Sequence, residues 1–149
     1  MILPSLRHSI CAALVIGLLA AAPAAAADWP TYRHDVARSG ITVENLSWPL
    51  KSSWAFRARV APQPAWGDPK PVPIEEILEL RRVHFDDVFQ VVAADGAVCF
   101  GSSGDNKVYC LDAATGRIRW TRITGGPVRL APTLYDGRVY VASDDGWAY

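Results

Sequence analysis

The chain has 149 residues, 15 basic and 15 acidic side chains, and a hydrophobic fraction of 50%. That composition fits one domain with a packed core and excludes a disordered chain. A formal net charge of zero, with Lys and Arg scattered rather than clustered, argues against nucleic acid or an anionic membrane surface as partner.

Residues 1–27 read as a secretory signal peptide. Arg7 and the α-amino group precede the short apolar run "ICAALVIGLLAAA", and small residues before Asp28 suit cleavage after Ala27. The run is too short to span a bilayer comfortably, so no transmembrane anchor is expected after cleavage. Cys11 lies inside the run without a lipobox. The expected product is exported, periplasmic or secreted, and keeps two cysteines, Cys99 and Cys110.

The mature chain opens "DWPTYRHDVARSG", which gathers Tyr32, Arg33, His34, Asp35 and Arg38. These residue types move protons and hold anions. On an extended strand, however, the neighbours His34 and Asp35 would point to opposite faces. The stretch therefore reads as the polar edge of a scaffold.

The second half contains a repeat. "ADGAVCFGSSGDNKVYCLD" and "YDGRVYVASDDGWAY" align with Asp95-Gly96 on Asp136-Gly137, 41 residues apart, and with Val108-Tyr109 on Ala148-Tyr149 if the second turn is one residue shorter. Short alternating strands and Gly/Asp turns at a period near 40 mark β-propeller blades. Within one blade the strands are expected at Phe89–Ala94, Ala97–Ser102, Lys107–Asp112 and Arg117–Ile123. Val128–Leu134 and Arg138–Ser143 begin the next blade, with Pro127 and Pro132 softening the boundaries. The fold class is all-β, a partial propeller of about one and a half four-stranded antiparallel blades.

"CLDAATGRIRW" resembles the tryptophan-docking motif of quinoprotein-type propellers, through Asp112, Thr115, Gly116 and Trp120; Cys110 stands where Ala is usual. With its leader and opening, the chain is similar to large secreted bacterial proteins built of PQQ-like (PQQ-binding-like) repeats, which occur also in the outer-membrane assembly propeller BamB. The resemblance implies that the motif residues are structural, with each Trp packing between neighbouring blades. "LKSSWAFRA" places Trp54 as Trp120 is placed, so Leu50–Ala58 reads as another outer strand, one that closes a last blade formed downstream.

Four segments follow: the leader 1–27, a lead-in and closing strand 28–59, a Pro-rich insertion 60–85, and truncated propeller repeats 86–149. The insertion carries Trp66, a candidate partner loop, and "IEEILELRRVHF", whose pattern suits a helix or a strand. A propeller needs about four to eight blades to remove its edges. The chain is therefore expected to be the N-terminal piece of a larger protein, its first partner being its own downstream blades.

Cys99 and Cys110 are equidistant from the turn at Gly104-Asp105 and should oppose one another on adjacent strands. Two readings stand: a disulfide, or two buried thiols packed against the next blade. Asp144-Asp145-Gly146, Asp105-Asn106 and Asp86-Asp87 could suggest Ca²⁺. The first two fall on hairpin turns, where Asp, Asn and Gly have backbone roles. Asp86, Asp87 and Arg129, near the start of inner strands, are candidates for a pocket on the propeller channel.

No catalytic constellation, metal site or cofactor site is identifiable. The leading functional reading is an exported non-catalytic scaffold that binds a protein or another macromolecule. The alternative is part of a PQQ-dependent alcohol or sugar dehydrogenase, with PQQ and a divalent cation, or a propeller fused to a downstream catalytic domain.

Overall fold

The computed structural model describes residues 27–67 and 86–149. The leader and the ambiguous segment "IEEILELRRVHF" lie almost wholly outside these residues.

Four strands form one antiparallel sheet in sequence order: β1 (Val91–Ala94), β2 (Ala97–Ser102), β3 (Lys107–Asp112) and β4 (Ile118–Ile123). A second, two-stranded sheet pairs β5 (Thr133–Tyr135) with β6 (Arg138–Tyr140). No described residue is helical. The first hairpin turns at Asp95-Gly96 and the second at Asp136-Gly137. In both turns the two central residues have positive φ, 50° and 68° in one and 49° and 67° in the other. Consecutive positive φ matches the right-handed twist of the flanking strands, and Asp-Gly is the dipeptide that reaches it at low cost.

The expected β2 and β3 match the observed bounds. The inner strand is shorter than expected, beginning at Val91 because Phe89 packs its ring on Phe100 and the Gln90 side chain accepts the Ala131 N–H. Val128–Leu134 is not a strand until Thr133. Pro127 and Pro132 have no N–H to give a ladder, and the Val128 N–H goes instead to the Ser102 carbonyl. The expected Arg138–Ser143 contracts to Arg138–Tyr140, followed by an isolated bridge from Ala142 to Ala148.

Leu50–Ala58 forms no strand, contrary to the expectation of an outer strand. A strand needs a ladder partner, and none lies beside it among the described residues. The segment nonetheless runs over one face of the sheet, where Trp54 and Phe56 join Phe89 and Val98 around buried Phe100, Tyr109 and Leu111. Phe100 and Tyr109 are register partners with rings stacked 5.2 Å apart. The opposite face buries Val92, Cys99 and Cys110 against Leu134 and Val139 of the second sheet and Ala131 just before it. β2 and β3 thus each feed two cores by simple alternation, whereas β4 is exposed along its length. Gly101 is required at the seam: a Cβ there would sit 2.2 Å from the Val128 side chain and 2.9 Å from its carbonyl oxygen.

The repeat recurs as chemistry as well as geometry. Tyr109 donates its hydroxyl to Asp105 at 2.5 Å, and Tyr149 donates to Asp145 at 2.5 Å. Val141 and Tyr149 exchange both backbone hydrogen bonds, so the third strand of the second unit starts one residue early, as the alignment requires.

Candidate functional site

Three polar constellations stand out, each built at a seam. The first is the lead-in. Trp29 forms a bridge with Ala93 of β1, and the Pro30 carbonyl accepts the Leu134 N–H of β5. Thr31 and Thr133 hydroxyls meet at 3.0 Å. Then the chain turns, with Arg33, His34 and Arg38 all at positive φ. His34 and Asp35 therefore do not diverge as on an extended strand: Nδ1 lies 3.6 Å from the carboxylate. That distance is too long for a hydrogen bond. The Asp35 carboxylate is instead taken by the Ser39 N–H and hydroxyl, at 3.0 and 2.5 Å. The His34 ring packs edge-on against Trp29 at 4.9 Å. This segment fastens two sheets together. Beside it is an open cavity of about 400 Å³, lined by Thr31, Tyr32, Arg38, Gln90 and Thr133, with the Arg38 guanidinium 5.6 Å above the Tyr32 ring.

The second is the turn Asp112–Gly116. The Asp112 carboxylate accepts the Thr115 N–H and hydroxyl on one oxygen, at 3.0 and 2.8 Å, and the Arg119 guanidinium on the other, at 2.7 Å. Arg119 reaches back because the β3–β4 register shifts between Cys110 and Leu111; the bulge leaves Arg119 unopposed and re-aims it. Trp54 docks on this turn. Its indole N–H donates to the Ala113 carbonyl at 2.9 Å, and a Cβ on Gly116 would lie 2.5 Å from its ring. Gly116 has φ of 70°, so glycine serves both conformation and close approach. Trp120, the equivalent of Trp54, remains 41% exposed beside Val139, Val141 and Tyr149.

The hydrogen bond from Arg119, then those from Thr115, hold the Asp112 carboxyl down at about 2, from 3.8. A depressed carboxylate stabilises the folded state fully above its unfolded value and loses that contribution as pH falls through its folded one. We expect the turn to loosen between about pH 4 and 2, and Asp112→Asn to flatten that part of the stability–pH curve. Denaturation at stepped pH values checks this; an unchanged curve contradicts it.

The third constellation contains two of the pocket candidates. Arg129 donates from Nη1 to Asp86 at 2.8 Å and to the Gln63 carbonyl at 2.7 Å, and from Nε to Asp144 at 2.5 Å. The Asp86 side chain is 1% exposed, and one of its oxygens has no hydrogen-bond partner. Burial works against the Arg129 charge, but the bonds to Asp144 and Asp86 outweigh it and raise its pKa. Asp87 is exposed and takes no part in this cluster. Asp144 and Gln63 were missed from sequence: Asp144 reads as an ordinary turn residue, and a backbone carbonyl carries no sequence signal. The residues of the Ca²⁺-suggestive turns are engaged as acceptors, Asp105 by Tyr109 and Lys107 and Asp145 by Tyr149 and the Trp147 N–H. Among the described residues no three His, Cys, Asp or Glu side chains gather at metal-binding spacing.

Cys99 and Cys110 are register partners, as their spacing required, and both are buried. Trp66 is 36% exposed. No helix among the described residues is long and apolar enough to cross a membrane.

A family model described as outer membrane protein assembly factor BamB matches residues 63–149, more than half of the chain. The chain belongs to this PQQ-like repeat family. The match covers both sheets, the Asp112–Gly116 turn and the Arg129 cluster. No curated protein and no solved structure matches the chain.

Arg129 bears on the cofactor for which such repeats are named. A carboxylated quinone needs cationic side chains that can face it. Arg129 is already enclosed by two carboxylates and a carbonyl, so the cluster does not fit as an anchor for that group.

Proposed function

We propose that the protein is an exported, non-catalytic β-propeller scaffold whose turn end binds another protein. One observation carries this reading: the insertion is tied to the same end of both sheets. The Gln63 N–H donates to the Ser103 hydroxyl in the β2–β3 turn, while the Gln63 carbonyl reaches Asp144 of the equivalent second turn through Arg129. A Cβ on Gly104 would meet the Ala61 carbonyl at 2.5 Å, which shows how closely insertion and turn approach. This end therefore presents Trp66 from the insertion and Trp147, 71% exposed, from the second turn. Aromatic side chains on a rigid frame suit protein contacts, because they bring large area at low entropic cost. The charged groups nearby serve the frame, which supports binding over catalysis.

The test is a photo-crosslinking amino acid placed at Trp66 or Trp147 in the intact protein, with Arg122 on β4 as the control position. Adducts to one envelope protein from 66 and 147, absent from 122, are expected. Equal labelling at all three positions contradicts the assignment. Quinone-dependent dye reduction by the purified protein, given PQQ and Ca²⁺, contradicts the non-catalytic half and favours a dehydrogenase.

A further inference from the structure

The thiol pair takes no part in the seams just described, and its placement is specific. Cys99 on β2 and Cys110 on β3 stand directly across the ladder. Both point to the face that buries Val92, and they are 0% and 3% exposed. Leu134 and Val139 of the second sheet pack over them. Directly opposed antiparallel residues have Cα atoms about 4.5 to 5.5 Å apart. That interval lies within the range a disulfide bridges without moving the backbone. The strands on either side fix the spacing, since Phe100 and Tyr109 lock the neighbouring rung by stacking on the other face.

We propose that Cys99 and Cys110 are joined by a cross-strand disulfide in the exported protein, formed before the second sheet closes over them. The proposal rests on the exported location given above, where no reductant pool keeps opposed thiols apart. The oxidant is a protein dithiol oxidase carrying its own disulfide. One thiolate of the pair attacks that disulfide and displaces one of its sulfurs, giving a mixed disulfide. The second thiolate attacks the mixed disulfide at the cysteine sulfur, closing the Cys99–Cys110 bond. The two protons of the pair and two electrons pass to the oxidase, which leaves reduced as a dithiol.

The timing follows from burial. Desolvation, and then the hydrogen bond with Cys110, push the Cys99 thiol up to about 12, and a buried thiol of that kind reacts slowly with any disulfide. The sulfurs are reachable while β5 and β6 are not yet in place. After that, the redox state of the pair is fixed by the fold.

The experiment counts thiols on the protein recovered from the export compartment, acid-quenched and unfolded in guanidinium with iodoacetamide. No adduct on the peptides holding Cys99 and Cys110, and two after prior reduction, is the expected result. Two adducts without reduction overturn the proposal, whether the thiols were free or held by a metal. Cell fractionation and the N-terminal peptide report export separately. If the chain stays in the cytoplasm with residues 1–27 attached, the export reading fails on its own. The pairing is then decided by refolding the reduced chain in a glutathione redox buffer: an internal disulfide supports it, and two glutathione caps or two free thiols overturn it.

Discussion

Replacing Trp54 by alanine is expected to destabilise the intact protein by about 3 kcal/mol or more, the usual cost of removing a large packed aromatic. The ring loses its bed on Gly116, the indole loses the Ala113 carbonyl, and the cluster around Phe100, Tyr109 and Leu111 is uncovered along one side. Trp54→Phe separates these effects. It keeps an aromatic ring over the turn and forfeits the single hydrogen bond, which is worth about 1 kcal/mol. Denaturant unfolding of both variants reads the difference. A loss under half the expected value for alanine removes Trp54 from the docking role. Equal losses for both variants would place the energy in the hydrogen bond rather than the packing.

Arg129→Met should cost a comparable amount, about 3–5 kcal/mol, for a different reason. Methionine fills much of the space but leaves the Asp86 carboxylate buried at 1% exposure without its counter-charge. The cost belongs to the orphaned anion more than to the lost pair, so neutralising the anion should return part of it. Adding Asp86→Asn to the Arg129→Met background is therefore expected to recover stability, whereas Asp86→Asn alone should lose it. A double variant as unstable as the sum of the single ones would show that the two residues act independently. Asp144 should matter less, because its side chain is 47% exposed and water can replace Arg129 there.

What could be read from the sequence was whatever a local pattern encodes. Asp95-Gly96 opens β2 and the turn at Gly104-Asp105 separates it from β3, so the bounds of both strands and the opposition of Cys99 to Cys110 follow from counting along the chain. The Asp112–Gly116 turn was equally visible, because its residues bond to one another within a few positions. Trp54 was matched to Trp120 by pattern, but the surface it occupies, 59 residues downstream, was not legible. Nor did pattern reveal that its segment would lie in the structure without a ladder. The Arg129 cluster joins residues 43 and 66 positions apart through a carbonyl and two carboxylates of unremarkable local setting. Asp86 and Arg129 are legible from sequence only as neighbours of inner strands, and the fold alone shows that they answer one another. The His34–Asp35 approach was misjudged because three left-handed residues replace the extended strand that the alternation argument assumed.

The bond between Thr31 and Thr133 spans 102 residues, and the lead-in beside it touches strands from both sheets. Contacts so distant along the chain cannot form until the far partner exists, and their closure carries the entropic cost of a long loop. Residues 29–31 are thus among the last to find their place. Until Thr133 and Leu134 have been made, Trp29 and its neighbours lack these partners. In that interval chaperones can grip them and proteases can trim them, and a chain shortened there would lose the stitch that joins its two sheets.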